Sequence, residues 1–89
     1  MSEQYEVKLT KGATKEVARY EAKIRRQIDG RLEDLRINPR PHDSRSLRGQ
    51  AMTFRIDIGE YRILYDIDYA SRRVLVWRVR HRKDAYKNM

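Results

Sequence analysis

A chain of 89 residues with a formal charge of +8 has room for one modest hydrophobic core. Its charge favours an acidic partner, nucleic acid first and an anionic membrane surface or acidic protein after it. The absence of cysteine excludes a disulfide scaffold and a cysteine-ligated zinc site.

No apolar run approaches the ~20 residues of a membrane span, and Met1-Ser2-Glu3-Gln4 lacks the character of a signal peptide. The chain therefore reads as a soluble cytoplasmic protein forming a single domain, residues 1–89. Tyr5, Val7 and Leu9 alternate with Glu6 and Lys8, which predicts a short first strand. Thr10-Lys11-Gly12 breaks it, and Thr10 or Thr14 is suited to cap the helix that follows. Val17, Tyr20, Ile24, Ile28, Leu32 and Leu35 recur at helical spacing, giving one amphipathic helix or two with a bend near Tyr20 to Ala22. Asn38-Pro39-Arg40-Pro41 stops the helix, and residues 38–48 read as a polar, arginine-rich loop.

Three strands follow. Met52, Phe54, Ile56 and Ile58 alternate with polar residues, and Gly59-Glu60 suits a two-residue loop with glycine first. Tyr61, Ile63, Tyr65 and Ile67 alternate in turn with Arg62, Leu64, Asp66 and Asp68. A turn around Ala70-Ser71-Arg72 leads to Val74–Val79, apolar on both faces until Arg78, with Trp77 expected in the core. The tail, residues 82–89, is too short and polar to supply core and suits at most a single helical turn.

This order predicts an α+β fold: a small, mostly antiparallel twisted sheet of about four strands packed against one or two N-terminal helices. The hairpin loop fixes a register of Ile58 with Tyr61, Asp57 with Arg62, Ile56 with Ile63 and Arg55 with Leu64. Phe54, Ile56, Ile58, Tyr61, Ile63 and Tyr65 then share the buried face, and Thr53, Arg55, Asp57 and Arg62 the other. Arg55 sits diagonally from Arg62, roughly 7–8 Å away at Cα and within reach of a common phosphate.

The chemistry concentrates in the last third: Arg62, then Arg80-His81-Arg82-Lys83-Asp84-Ala85-Tyr86 directly after the last strand. Guanidinium groups match phosphate geometry and stay charged, imidazole moves protons near neutral pH, and a phenol serves as a proton-transfer partner or a stacking surface. Such a set grips a phosphodiester and moves protons around it without a metal or any other cofactor.

The run Phe54-Arg55-Ile56-Asp57-Ile58-Gly59-Glu60-Tyr61-Arg62-Ile63-Leu64-Tyr65-Asp66-Ile67-Asp68, followed by Val79 to Tyr86, resembles the RelE/ParE superfamily of bacterial toxins, RelE branch. Ser46-Leu47-Arg48-Gly49 and the order of elements extend the likeness to nearly the whole chain. The resemblance implies the toxin of a type II toxin–antitoxin system, a metal-independent endoribonuclease that cuts messenger RNA in the ribosomal A site by 2′-hydroxyl attack. It implies Arg55, Arg62, His81, Arg82 and Tyr86 as catalytic groups, with acid and base unassigned between His81 and Tyr86. Their positive charge makes Arg48, Arg80 and Lys83 the expected RNA contacts. The partners it implies are a cognate antitoxin, messenger RNA and the ribosome, with operator DNA for the toxin–antitoxin complex and no membrane. The alternatives are a ParE-type gyrase inhibitor or a catalytically weak relative that still binds an antitoxin. Thr53 stands where some members carry a basic residue, Asp57 where the residue is often basic, and Arg80 where glycine is common.

Overall fold

The computed structural model describes residues 4–47 and 49–88. In chain order it contains strand β1 (Glu6–Leu9), helices α1 (Lys11–Ala18) and α2 (Ala22–Ile37), and strands β2 (Arg45–Ser46), β3 (Thr53–Ile58), β4 (Tyr61–Asp68) and β5 (Arg73–His81). The strands form one five-stranded sheet in the order β1-β5-β4-β3-β2. β1 runs parallel to β5, from Glu6 opposite Arg73 to Leu9 opposite Val76, and every other pairing is antiparallel. The sheet has one strand more than the sequence suggested. β2 lies inside the arginine-rich segment read as loop, and two exposed residues are too few to show a period of two.

Local chemistry explains the element ends. Thr10 Oγ1 accepts a hydrogen bond from Ala13 N at 3.1 Å and so caps α1. The helical stripe breaks after Ala18 and resumes at Ala22, where the bend was expected. α2 ends at Ile37 because Pro39 pushes Asn38 into extended backbone, at φ −143° and ψ 104°. The β3–β4 hairpin takes the predicted register, Ile58 opposite Tyr61 through Arg55 opposite Leu64. Gly59 makes its turn at φ +56°, a conformation that costs glycine little and other residues more.

The core lies between the helices and one face of the sheet. Ala13, Ile28 and Leu35 meet Phe54, Ile56, Ile63, Tyr65, Ile67, Val74, Val76 and Val79 there. Tyr65 is the largest fully buried side chain, and its hydroxyl donates to the Pro39 carbonyl at 2.7 Å, tying the proline loop to the sheet. Arg31 of α2 fastens the same loop through both carboxylate oxygens of Asp43, each at 2.9 Å. Burial pushes the Tyr65 phenol up to about 12. An unfolded tyrosine titrates near ~10, so the neutral phenol's contribution is complete below that pH and disappears as pH rises through the folded value. An alkaline titration followed by circular dichroism should show stability falling between pH ~10 and ~12, with a shallower fall for Tyr65→Phe.

The opposite face is partly covered by the tail. Leu64 and Ala85 are fully buried yet outside the main core, so the tail contributes buried surface, contrary to the expectation from its polarity. The reason is Arg78, whose Nη1 donates to the carbonyls of Ala85 (3.0 Å) and Lys87 (2.7 Å) and holds the tail in successive turns rather than a helix.

Trp77 also departs from expectation. The register slips between Leu64, opposite Arg78, and Tyr65, opposite Val76, leaving Trp77 as the extra residue of a β-bulge. Half-buried on the face away from the helices, it donates from Nε1 to Asp66 Oδ1 at 3.1 Å instead of entering the core.

Candidate functional site

Period-two alternation along the hairpin places Arg55, Asp57 and Arg62 on the face away from the helices. Asp57 stands directly across from Arg62. One of its oxygens, Oδ1, serves both arginines, lying 3.1 Å from Arg55 Nη1 and 3.3 Å from Arg62 Nε. The guanidinium carbon of Arg62 lies 5.3 Å from the centre of the Tyr86 ring. Arg62 is thus held between a carboxylate and an aromatic ring, a cation–π geometry that fixes its plane. The arginine side chains are about a quarter exposed, at 23% and 24%, so they are ordered by neighbours while still open to a ligand.

Tyr86 reaches this cluster because Arg78 anchors the carbonyls on either side of it. Desolvation, helped by the nearby Arg80, lowers the Arg78 pKa from its ordinary value.

His81 does not join Arg62 and Tyr86. It pairs with Tyr61, which faces the helices, and the two rings meet edge-on with centres 5.6 Å apart. Tyr61 in turn lies 4.8 Å from Tyr20, whose hydroxyl donates to the Val79 carbonyl at 2.6 Å. Burial, and then the Glu16 carboxylate, raise the Tyr20 phenol above its usual range. His81 Nδ1 accepts from Lys83 N at 3.2 Å, which assigns the neutral ring's proton to Nε2, 3.9 Å from a Glu60 oxygen. The ring forms part of an open cavity of about 370 Å³ together with Tyr20, Tyr61, Arg19 and Arg80.

The bulge is the cause of this separation. Continuing the Tyr65–Val76 register without a slip would set Arg62 opposite Val79 and give His81 the same parity as Arg62. The extra residue at Trp77 instead sets Arg62 opposite Arg80 and Tyr61 opposite His81. The expected convergence therefore resolves into two groups at one end of the sheet: Arg55, Arg62 and Tyr86 on one face, His81 on the other.

The remaining predicted residues distribute around this rim. Arg82, just past the end of β5, pairs with Glu60 at 2.9 Å, and its backbone N–H donates to the Glu60 carbonyl at 2.7 Å. Arg80 is bound to the Glu16 carboxylate of α1, which also accepts the Val79 N–H at 2.9 Å. That carboxylate closes the outer edge of β5 beyond the end of β1, so Arg80 has a structural partner away from Arg62. Lys83 is exposed. Arg48 lies outside the described residues. Thr53 is buried and donates to Asp66 at 2.8 Å. Sequence reasoning missed Arg78, Glu16 and Tyr61. Arg78 alone carried a signal, a cation in a strand otherwise apolar up to that point.

Among the described residues, no group of three or more His, Asp or Glu side chains is arranged to hold a metal ion, and no helix is long and apolar enough to cross a membrane.

Residues 7–86 match the family described as the ParE toxin of the type II toxin–antitoxin system, parDE. A candidate toxin of Methanocaldococcus jannaschii, RelE1, is 32% identical over 60 residues, 64% of this chain and 67% of that protein. Among solved structures, the RelBE2 toxin–antitoxin complex of Mycobacterium tuberculosis contains a chain 30% identical with a TM-score of 0.78, matched over 88% of this chain and 98% of its own. The isolated RelE toxin of E. coli is 24% identical with a TM-score of 0.78, over 86% of this chain and 83% of its own, and shares the fold.

Proposed function

Because the chain belongs to the ParE toxin family of type II toxin–antitoxin systems, within the RelE/ParE superfamily, we propose that it is a RelE-type toxin that cleaves messenger RNA in the ribosomal A site. The observation that carries this reading is Arg62 braced against Tyr86 on an open sheet face, with Arg55 across the shared Asp57. Metal-independent cleavage proceeds when the 2′-hydroxyl attacks the adjacent phosphorus, passes through a phosphorane and expels the 5′-oxygen. Arg55 and Arg62 supply cationic donors for the phosphorane, a contribution typically worth ~10²–10³-fold per donor. Tyr86 exchanges a proton with the reacting oxygens or stacks on a base in this reading. His81 and Arg82 meet an RNA strand only where it bends around the end of β4 and β5. A site so poor in ordinary general bases depends on RNA already held in reactive geometry, which favours the ribosome as the place of cleavage.

The partners that go with this reading are a cognate antitoxin, messenger RNA and the ribosome, with operator DNA bound by the complex, all in the cytoplasm. The M. tuberculosis neighbour is a toxin–antitoxin complex, which supports the antitoxin. The formal charge of +8 favours acidic partners throughout.

A second reading, a gyrase-inhibiting toxin, draws on the family description itself, which names ParE. One experiment separates them. The purified chain is added to a cell-free translation reaction read by primer extension, and in parallel to a gyrase supercoiling assay. New 5′ ends at ribosome-bound codons with unimpaired supercoiling are expected. Intact messages with blocked supercoiling would overturn the nuclease reading.

A further inference from the structure

The geometry points to Asp57 as an internal substitute for the substrate phosphate, a carboxylate that occupies the anion position between Arg55 and Arg62 until RNA displaces it. The inference rests on the nuclease reading above. It starts from a residue type: a carboxylate placed among the cations of a phosphate site either orients them or competes with the ligand. The contacts favour competition. A single oxygen, Oδ1, accepts a hydrogen bond from Arg55 Nη1 at 3.1 Å and lies in ion-pair contact with Arg62 Nε at 3.3 Å, between two guanidinium groups as a phosphate oxygen would lie.

Orientation has other sources. Arg62 is already set by the Tyr86 ring, and the strand pairing of β3 with β4 fixes the base of both arginine side chains. The Asp57 side chain is 50% exposed, so it has room to swing into solvent when an anion with greater charge arrives. The hairpin loop repeats the arrangement one step away, where Glu60 holds Arg82 at 2.9 Å. The resting site is therefore screened, and strong binding is reserved for RNA presented at high effective concentration, as in a ribosome.

The test measures binding of a short 2′-O-methyl RNA, which cannot be cleaved, by fluorescence anisotropy across a salt series. The wild type, Asp57→Asn and Arg62→Ala are compared. Asp57→Asn keeps the shape and one oxygen while removing the charge. Its affinity should rise about five- to tenfold at low salt, since each exposed ion pair contributes up to about fivefold. Its log–log salt slope should steepen by about 0.7, the value for one added phosphate contact on a single strand. Arg62→Ala should bind more weakly than the wild type. Unchanged or weaker binding by Asp57→Asn, with Arg62→Ala still impaired, would reject the phosphate-substitute role and leave the nuclease site standing. If Arg62→Ala binds as well as the wild type, RNA does not use this face and the underlying reading fails instead.

Discussion

Replacing Arg62 with alanine should lower ribosome-dependent transcript cleavage by about 10²-fold or more while the protein stays folded. Arg62 is the residue on which the open-face cluster converges, bridging Asp57 and Tyr86. On the proposed nuclease reading its removal would take one charged donor from the developing phosphorane, and it also removes the cation from the Tyr86 ring. Stability should change little, because a partly exposed ion pair contributes under ~1 kcal/mol and the hairpin register does not depend on the side chain. Growth arrest on induction, primer extension and a thermal melt report these effects together. Arg62→Lys should recover only part of the activity, since an ammonium keeps the charge and loses the planar fork.

Arg78→Met should be the second large effect, reached by a different route. Among the described residues, Arg78 makes no hydrogen bond to the side chain of a group expected to meet RNA, but its Nη1 holds the carbonyls of Ala85 and Lys87. Hydrogen bonds to charged groups contribute ~1.5–3 kcal/mol each, so the tail should detach and the domain lose a few kcal/mol. Methionine preserves most of the side-chain length, which separates the loss of hydrogen bonding from simple loss of volume. Detachment carries Tyr86 away from Arg62, so activity should fall to the level of Tyr86→Ala. Faster hydrogen exchange confined to residues 82–88, with the sheet still protected, is the accompanying signature. An Arg78→Met protein with a docked tail and full activity would show that Tyr86 is held by other means.

Much of this arrangement was legible in the residues themselves. Gly59-Glu60 fixed the loop length, and alternation on both sides then assigned every side chain of the hairpin to a face. Pro39 marked the end of α2, and the α1 cap was narrowed to Thr10 or Thr14, of which the structure uses Thr10. The bulge was not legible. Val74-Leu75-Val76-Trp77 is apolar throughout, so nothing in the pattern marks the residue at which the register slips. That one residue decides which face His81 occupies, and with it the division of the site. The two-residue β2 was hidden for the related reason that it has no period to detect. Burial of Ala85 depends on a guanidinium reaching across from β5, a long-range contact that local polarity does not announce.

The most direct measurement uses a message carrying a single 2′-deoxynucleotide on the 5′ side of the cut made in the ribosomal A site. If Arg55, Arg62 and Tyr86 act on a phosphodiester attacked by its own neighbouring hydroxyl, primer extension should show that cut gone, with cuts at unmodified codons undiminished. An undiminished cut at the modified position would contradict the account, because a nucleophile other than the ribose would then be breaking the strand.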